Sequence, residues 1–177
     1  MAAWFTSDTH FGHGNIIKHC SRPFASVEEM DETMIARWNE RVSHGDTVYH
    51  LGDFSLTDHT PYLQKLNGQK RLVLGNHDNS KFVKKAVGWA TVDDILHVTV
   101  EDTFLVLCHY AMRVWHRSHH GSLHLYGHSH GKLKGTSRSC DVGVDCWDFR
   151  PVSLTEIKAF YRRQAKRIES ANNYAEH

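Results

Sequence analysis

The sequence has no long apolar run, no charge excess and no cysteine framework, and each absence removes a class of function. A membrane-spanning helix needs roughly 18 or more consecutive apolar residues, and no stretch here approaches that. The formal net charge is +1 over 177 residues, so no global field points to nucleic acid or to an acidic membrane surface. The four cysteines, Cys20, Cys108, Cys140 and Cys146, include no CxxC pair. That argues against a cysteine-rich zinc site and against a secreted disulfide scaffold. The N-terminal stretch lacks a basic segment and meets Asp8 too early for a signal peptide. A cytoplasmic protein is the expectation.

What remains is ordinary for a globular domain: 40% hydrophobic and 23% charged residues. The length suits one domain over residues 1–168 with a polar tail at 169–177. Histidine is the exception, at sixteen residues. Imidazole is the commonest metal ligand and the usual acid–base group near neutral pH. A high count proves nothing until positions are considered.

Ala2–Ser7 reads as a first strand. Ser26 with Glu29 forms a capping box that opens an amphipathic helix over 27–42. Thr47–Leu51 reads as a second strand, Thr60-Pro61 as the start of a short helix to about Leu66, Arg71–Leu74 as a third strand, and Ser80–Val87 as a helix. Beyond that, Ile95–Val100, Thr103–Cys108, Leu123–Tyr126 and Val142–Cys146 are short strand-like runs. Ser153 with Glu156 caps a last helix to about Ile168. The pattern is βαβαβα followed by a mostly β half, which predicts an α/β fold.

The chemistry-bearing residues fall just after predicted strands. Asp8 and His10 follow the first, Asp53 the second, and Asn76 and His77 the third. His109 follows Thr103–Cys108, and His128 and His130 follow Leu123–Tyr126. Sites in open α/β sheets form beyond the carboxyl ends of strands, so these side chains should converge. Asp8 and His10 are two apart, as are His128 and His130. In extended chain such pairs point to one side. Gly52, Gly75 and Gly127 precede ligand-type residues and allow close backbone approach. Carboxylate, imidazole and amide oxygen together suit Mn, with Fe or Zn as alternatives. Seven ligands exceed what one catalytic ion takes, so two divalent ions sharing a carboxylate account for the number.

The series Asp8-x-His10, Gly52-Asp53, Gly75-Asn76-His77-Asp78, Cys108-His109 and Gly127-His128-Ser129-His130 resembles the calcineurin-like metallophosphoesterases, in order and in rough spacing, over residues 4–147. The resemblance implies a four-layer α/β/β/α sandwich. It implies that Asp8, His10, Asp53 and His130 hold one metal, and that Asp53, Asn76, His109 and His128 hold the other, with Asp53 bridging. It makes His77 the non-ligand histidine that faces the substrate. Two cations ~3.5–4 Å apart can clamp a phosphate ester and acidify a water that attacks in line.

The sequence departs from the serine/threonine protein phosphatases of that superfamily. Phe54-Ser55-Leu56-Thr57-Asp58 follows Gly52-Asp53 where those enzymes carry a further Asp-Arg-Gly, and the third motif ends in Asp78 rather than Glu. The chain resembles the small, cap-less bacterial or phage members instead, which implies a phosphodiesterase on small or nucleotide-type diesters. A phosphomonoesterase and a non-catalytic binding platform are the alternatives. Arg113–Ser122 has no apolar periodicity and reads either as a substrate loop or as a solvated one. On the first reading Arg113 and His116 contact the substrate. His13 and Asn15, with Arg22, are further candidates for the cleft. Lys158, Arg162, Arg163, Lys166 and Arg167 form a basic helix face. A solvated face near a helix C-terminus is the preferred reading over a nucleic-acid surface. The expected partner is a small phosphoester, not a membrane, and oligomeric state has no signature here.

Overall fold

The computed structural model describes residues 1–163. The 169–177 tail, and Lys166 and Arg167 of the basic helix, lie outside the described residues.

Among the described residues, nine strands form two sheets. The first has the order β4-β3-β2-β1-β9, from β1 Ala3–Thr6, β2 Thr47–His50, β3 Gln69–Val73, β4 Trp89–Asp93 and β9 Val152–Ser153. β1 to β4 are parallel and β9 runs antiparallel to β1. The second has the order β5-β6-β7-β8, from β5 Ile95–Val100, β6 Thr103–Cys108, β7 Leu123–Tyr126 and β8 Ser139–Asp141. β5 and β6 are a hairpin with Glu101 and Asp102 both at positive φ, as a tight two-residue turn requires. β6, β7 and β8 are parallel.

Alternation along the strands divides the apolar residues into two cores. Phe5, Tyr49, Leu51 and Val73 from the first sheet meet Leu105, Leu107 and Leu125 from the second. Val48 and Leu72, on the other face of the first sheet, pack with Met30, Met34 and Trp38. Those three lie four residues apart on α2 Val27–Arg41, which is how one helix face becomes wholly buried. Each such side chain contributes roughly 1.5–3 kcal/mol on burial. α1 Gly14–His19, α3 Thr60–Leu63 and α4 Ser80–Lys85 share this helical side, through Ile16, Leu63 and Val83. A last helix, α5 over 154–163, places Leu154, Ile157 and Tyr161 in the intersheet core.

The result is the expected α/β/β/α sandwich with an irregular outermost layer. The loop after β6, with a short 3-10 turn at Ser118–His120, covers the outer face of the second sheet. There Trp115 stacks on His124 and His116 lies on His97 and Phe104.

Local signals held at both capping boxes. The Glu29 N–H donates to Ser26 Oγ at 3.1 Å, although Glu29 reaches back to the Ala25 N–H rather than to that of Ser26. Ser153 and Glu156 close the reciprocal box, at 2.9 and 3.3 Å. Other expectations need correction. Val142–Cys146 is not a strand: β8 lies three residues earlier, and Val144–Cys146 is a 3-10 turn. The third helix ends at Leu63, where the buried Lys70 ammonium caps the carbonyls of Leu63 and Leu66.

Burial of imidazoles gives the fold a pH signature. His10, His13, His50, His59, His124 and His128 are all held below the usual histidine range, in each case chiefly by burial. The fold thus favours their neutral form, and unfolding is accompanied by proton uptake once the pH drops below ~6.5. Their contribution is therefore complete above that pH and is lost as the pH falls. Burial of Asp8, Asp31 and Asp78, pushed up to about 7, about 6 and about 6, works the opposite way. So do His109 and His130, held above the usual range by Asp53 and Asp145 against the effect of burial, while Asp53 and Asp145, held low, act with the six imidazoles. The Tm of metal-free protein should fall between pH 7.5 and pH 5, because His10 and His50 are fully buried and lie far below the usual range. An unchanged or higher Tm at pH 5, measured in chelator, would contradict this.

Candidate metal centre

The carboxyl ends of β1, β2 and β3 lie side by side in the first sheet, and those of β6 and β7 in the second. The chain after β1 pairs with the chain after β8 through Ser7 and Gly143. This brings Asp8, His10 and His130 into one cluster, and Asp53, His109 and His128 into another, each with its ligand atoms within 4.8 Å of one another.

One atom stands between the clusters. Asp53 Oδ2 is 3.6 Å from His10 Nε2 and 3.4 Å from His109 Nε2. The other oxygen, Oδ1, accepts the backbone N–H of His77 at 2.8 Å, which fixes the carboxylate plane. Asn76 Oδ1 lies 3.1 Å from His109 Nε2. All seven predicted ligands thus meet at one place.

Backbone geometry differs from the sequence expectation. Asp8, His10, Asp53, His128 and His130 have φ of 57°, 51°, 55°, 65° and 47°. They lie in the left-handed region, not in extended chain, so the pairs two apart converge by tight turning rather than by strand alternation. Such conformations cost about 1–3 kcal/mol each and persist only where surroundings enforce them. The glycine reading holds at Gly52, where a Cβ would meet Gly75 N and His109 Nδ1 at 2.6 Å, and at Gly127, where it would lie 2.5 Å from Asp8 Oδ2.

The residues fit cations. His109 Nδ1 donates to the Leu51 carbonyl at 2.7 Å, since a carbonyl can only accept, and this leaves Nε2 with a free lone pair. His130 Nδ1 faces an Asp145 carboxylate oxygen at 2.8 Å, which frees its Nε2 in the same way. His10 Nε2 is buried without a hydrogen-bond partner. Burial pushes the Asp8 carboxyl up to about 7 and the His10 imidazole down to about 3. Burial also works to raise Asp53, but the hydrogen bond and charge of His109, the His77 N–H and His10 outweigh it and hold that carboxyl down at about 2. Buried donors of this kind, with lone pairs aimed at one another, are what divalent cations satisfy.

Two residues support the site without having been given a role from the sequence. The buried Asp78 carboxylate accepts the N–H groups of Asp53 at 2.8 Å, Phe54 at 2.9 Å and Gly75 at 2.8 Å, binding two ligand loops together. Tyr110 donates to Asn76 Oδ1 at 3.4 Å and packs on His109 and His128. The motif itself contains Asp78, so that signal was available. Tyr110, beside His109, had none.

The predicted substrate contacts separate. His77 is exposed, with its ring 5.4 Å from that of His10. His13 lies beside both, at 5.4 and 6.4 Å. Both rings thus lie beside the ligand His10. Asn15 is exposed on the first turn of α1 and Arg113 is exposed on its loop. His116 is exposed and lies away from both rings, with its own ring on Phe104 at the far end of β6 from His109. Arg22 does not line the cleft but is buried beneath it.

Two stacked sheets thus deliver Asp, Asn and His side chains from adjacent strand ends to a paired ligand cluster. No protein-family model matches the chain. It is 33% identical over 159 residues to the uncharacterized protein MJ1445 of Methanocaldococcus jannaschii, covering 87% of this chain and 88% of that one. It is 30% identical over 191 residues to the gene 66 protein of Mycobacterium phage L5, covering 87% and 91%. The chain belongs to the family of these archaeal and phage proteins. Among solved structures, a protein of unknown function, AQ665 from Aquifex aeolicus, matches with a TM-score of 0.69 and 25% identity, over 90% of this chain and 98% of that one.

Proposed function

We propose that the protein is a dinuclear metal-dependent phosphoesterase that hydrolyses small phosphodiesters, nucleotide-type diesters among them. The observation that carries this reading is the placement of Asp53 Oδ2 between His10 Nε2 and His109 Nε2, at 3.6 and 3.4 Å, with a ligand cluster on either side. Asp8, His10, Asp53 and His130 would hold one ion, and Asp53, Asn76, His109 and His128 the other. Mn is the best match to this donor set, with Fe and Zn as alternatives. Such a pair, when bound, supplies Lewis-acid clamping of the phosphoryl oxygens and lowers the pKa of water toward ~7.

The chain's own groups do the rest. Asp53 Oδ1 anchors the His77 backbone, so the residue that carries the ligand charge also positions the imidazole that faces the substrate. His77 then delivers a proton to the departing oxygen. His13, half-buried between His10 and His77, narrows the cleft on that side. Tyr110 packs on His109 and His128, but from Trp115 onward the loop docks on the second sheet rather than over the centre. A centre that this part of the loop leaves uncovered supports a diester, which needs room for two substituents.

Two assays test this. Protein loaded with Mn2+ should turn over a diester faster than the matched monoester; clear monoester preference would make it a phosphomonoesterase, and no turnover of either would leave a binding platform. His77→Ala should lower the rate on a diester with an alkoxide leaving group by ~10²–10⁴-fold, the usual range for general acid catalysis. The loss should be much smaller with a nitrophenolate leaving group, which needs no proton. Equal losses on both would remove His77 from that role.

A further inference from the structure

Behind the centre lies a buried ion pair that links it to residues far away in sequence. Arg22 Nε and Nη2 bind the two carboxylate oxygens of Asp145 at 2.8 and 2.9 Å. The same guanidinium donates to the Asp8 carbonyl through Nη2 at 2.7 Å and to the Thr9 carbonyl through Nη1 at 3.0 Å. The Arg22 side chain has no solvent exposure and that of Asp145 is 10% exposed. Asp145 Oδ2 also faces His130 Nδ1 at 2.8 Å.

We infer that Arg22 and Asp145 are a positioning pair for the cation held by Asp8, His10 and His130, acting on both halves of that ligand set at once. This rests on the metal-centre reading above. Asp145 accepts the His130 Nδ1–H, which selects the tautomer with a free Nε2 and fixes the ring plane. Arg22 acts on the other half. Asp8 and His10 both stand in the left-handed region, at φ 57° and 51°, where a non-glycine residue is strained. Turning the chain this way aims the carbonyls of Asp8 and Thr9 at the guanidinium, and their hydrogen bonds hold the turn in place. Only a planar fork can serve a carboxylate and two carbonyls together, so a lysine at 22 keeps the charge and loses the function. None of these contacts reaches the cluster of Asp53, His109 and His128.

The test is Mn2+ titration of the metal-free protein by calorimetry, with free Mn2+ followed by electron paramagnetic resonance. Asp145→Asn and Arg22→Lys should each weaken one of the two ions by about 10–100-fold, the usual effect of losing a partner behind a ligand, and weaken the other ion much less. His128→Ala should reverse the order and weaken the other ion more. Equal weakening of both ions, or no weakening, would overturn the inference. Wild-type protein that binds no pair of ions would instead sink the metal-centre reading, and this one with it. A measurement on the wild type covers variants that fail to fold: the imidazole 15N shifts of His130 in the metal-free protein should report the Nδ1–H tautomer. An Nε2–H tautomer would overturn the inference.

Discussion

Asp53→Asn should lower phosphodiester hydrolysis on the order of a thousandfold while the fold survives. Asparagine is nearly isosteric and keeps an oxygen for the His77 N–H, now at 2.8 Å from Oδ1. What goes is the charge on the oxygen between His10 and His109. The clamp on a phosphoryl group is worth several kcal/mol, and each ~1.4 kcal/mol is a factor of ten in rate. The expected readout is a collapse of turnover at saturating Mn2+ with circular dichroism like that of the wild type. Activity within tenfold of wild type would show that Asp53 does not bridge.

Asp78→Ala should have the largest effect on stability. Its carboxylate is buried and satisfies three backbone donors from two loops. Alanine strands all three, and an unpaired buried donor costs about 1–3 kcal/mol. A combined loss of roughly 3–6 kcal/mol would consume much of the ~5–15 kcal/mol that holds a typical domain together. Denaturant unfolding should show a large drop in midpoint with an unchanged slope, or the variant should fail to accumulate as folded protein. A change below ~0.5 kcal/mol, the size usual at neutral surface positions, would mean that the loops are held by something else.

The sequence signals that proved legible are those carried by local periodicity or by fixed motifs. Ile95–Val100, Thr103–Cys108 and Leu123–Tyr126 are strands with the bounds their apolar patterns suggested. Both Ser-x-x-Glu boxes cap helices. Residues following separate strands could be expected to converge because parallel strands share a carboxyl end, and this placed the seven ligand positions together. How they converge was not legible. Left-handed φ at five non-glycine positions is enforced by tertiary contacts, such as the His128 N–H on the Asp8 carboxylate, and no propensity predicts it. The Arg22–Asp145 pair spans 123 positions in the chain, beyond any local pattern. β4 was missed because Trp89–Asp93 carries exposed Ala90 and Val92 at a sheet edge, a weak alternation. His116 misled because a histidine-rich loop looks like a ligand-binding loop, while its rings pack on His97 and Phe104.

The central claim, a paired metal centre built around Asp53, is tested most directly by anomalous diffraction from crystals soaked in Mn2+. Two peaks ~3.5–4 Å apart, the separation of catalytic metal pairs, should straddle Asp53 Oδ2. One should lie against Asp8, His10 and His130, and the other against Asn76, His109 and His128. A single peak, or a pair that leaves Asp53 outside the coordination of either ion, would contradict the account.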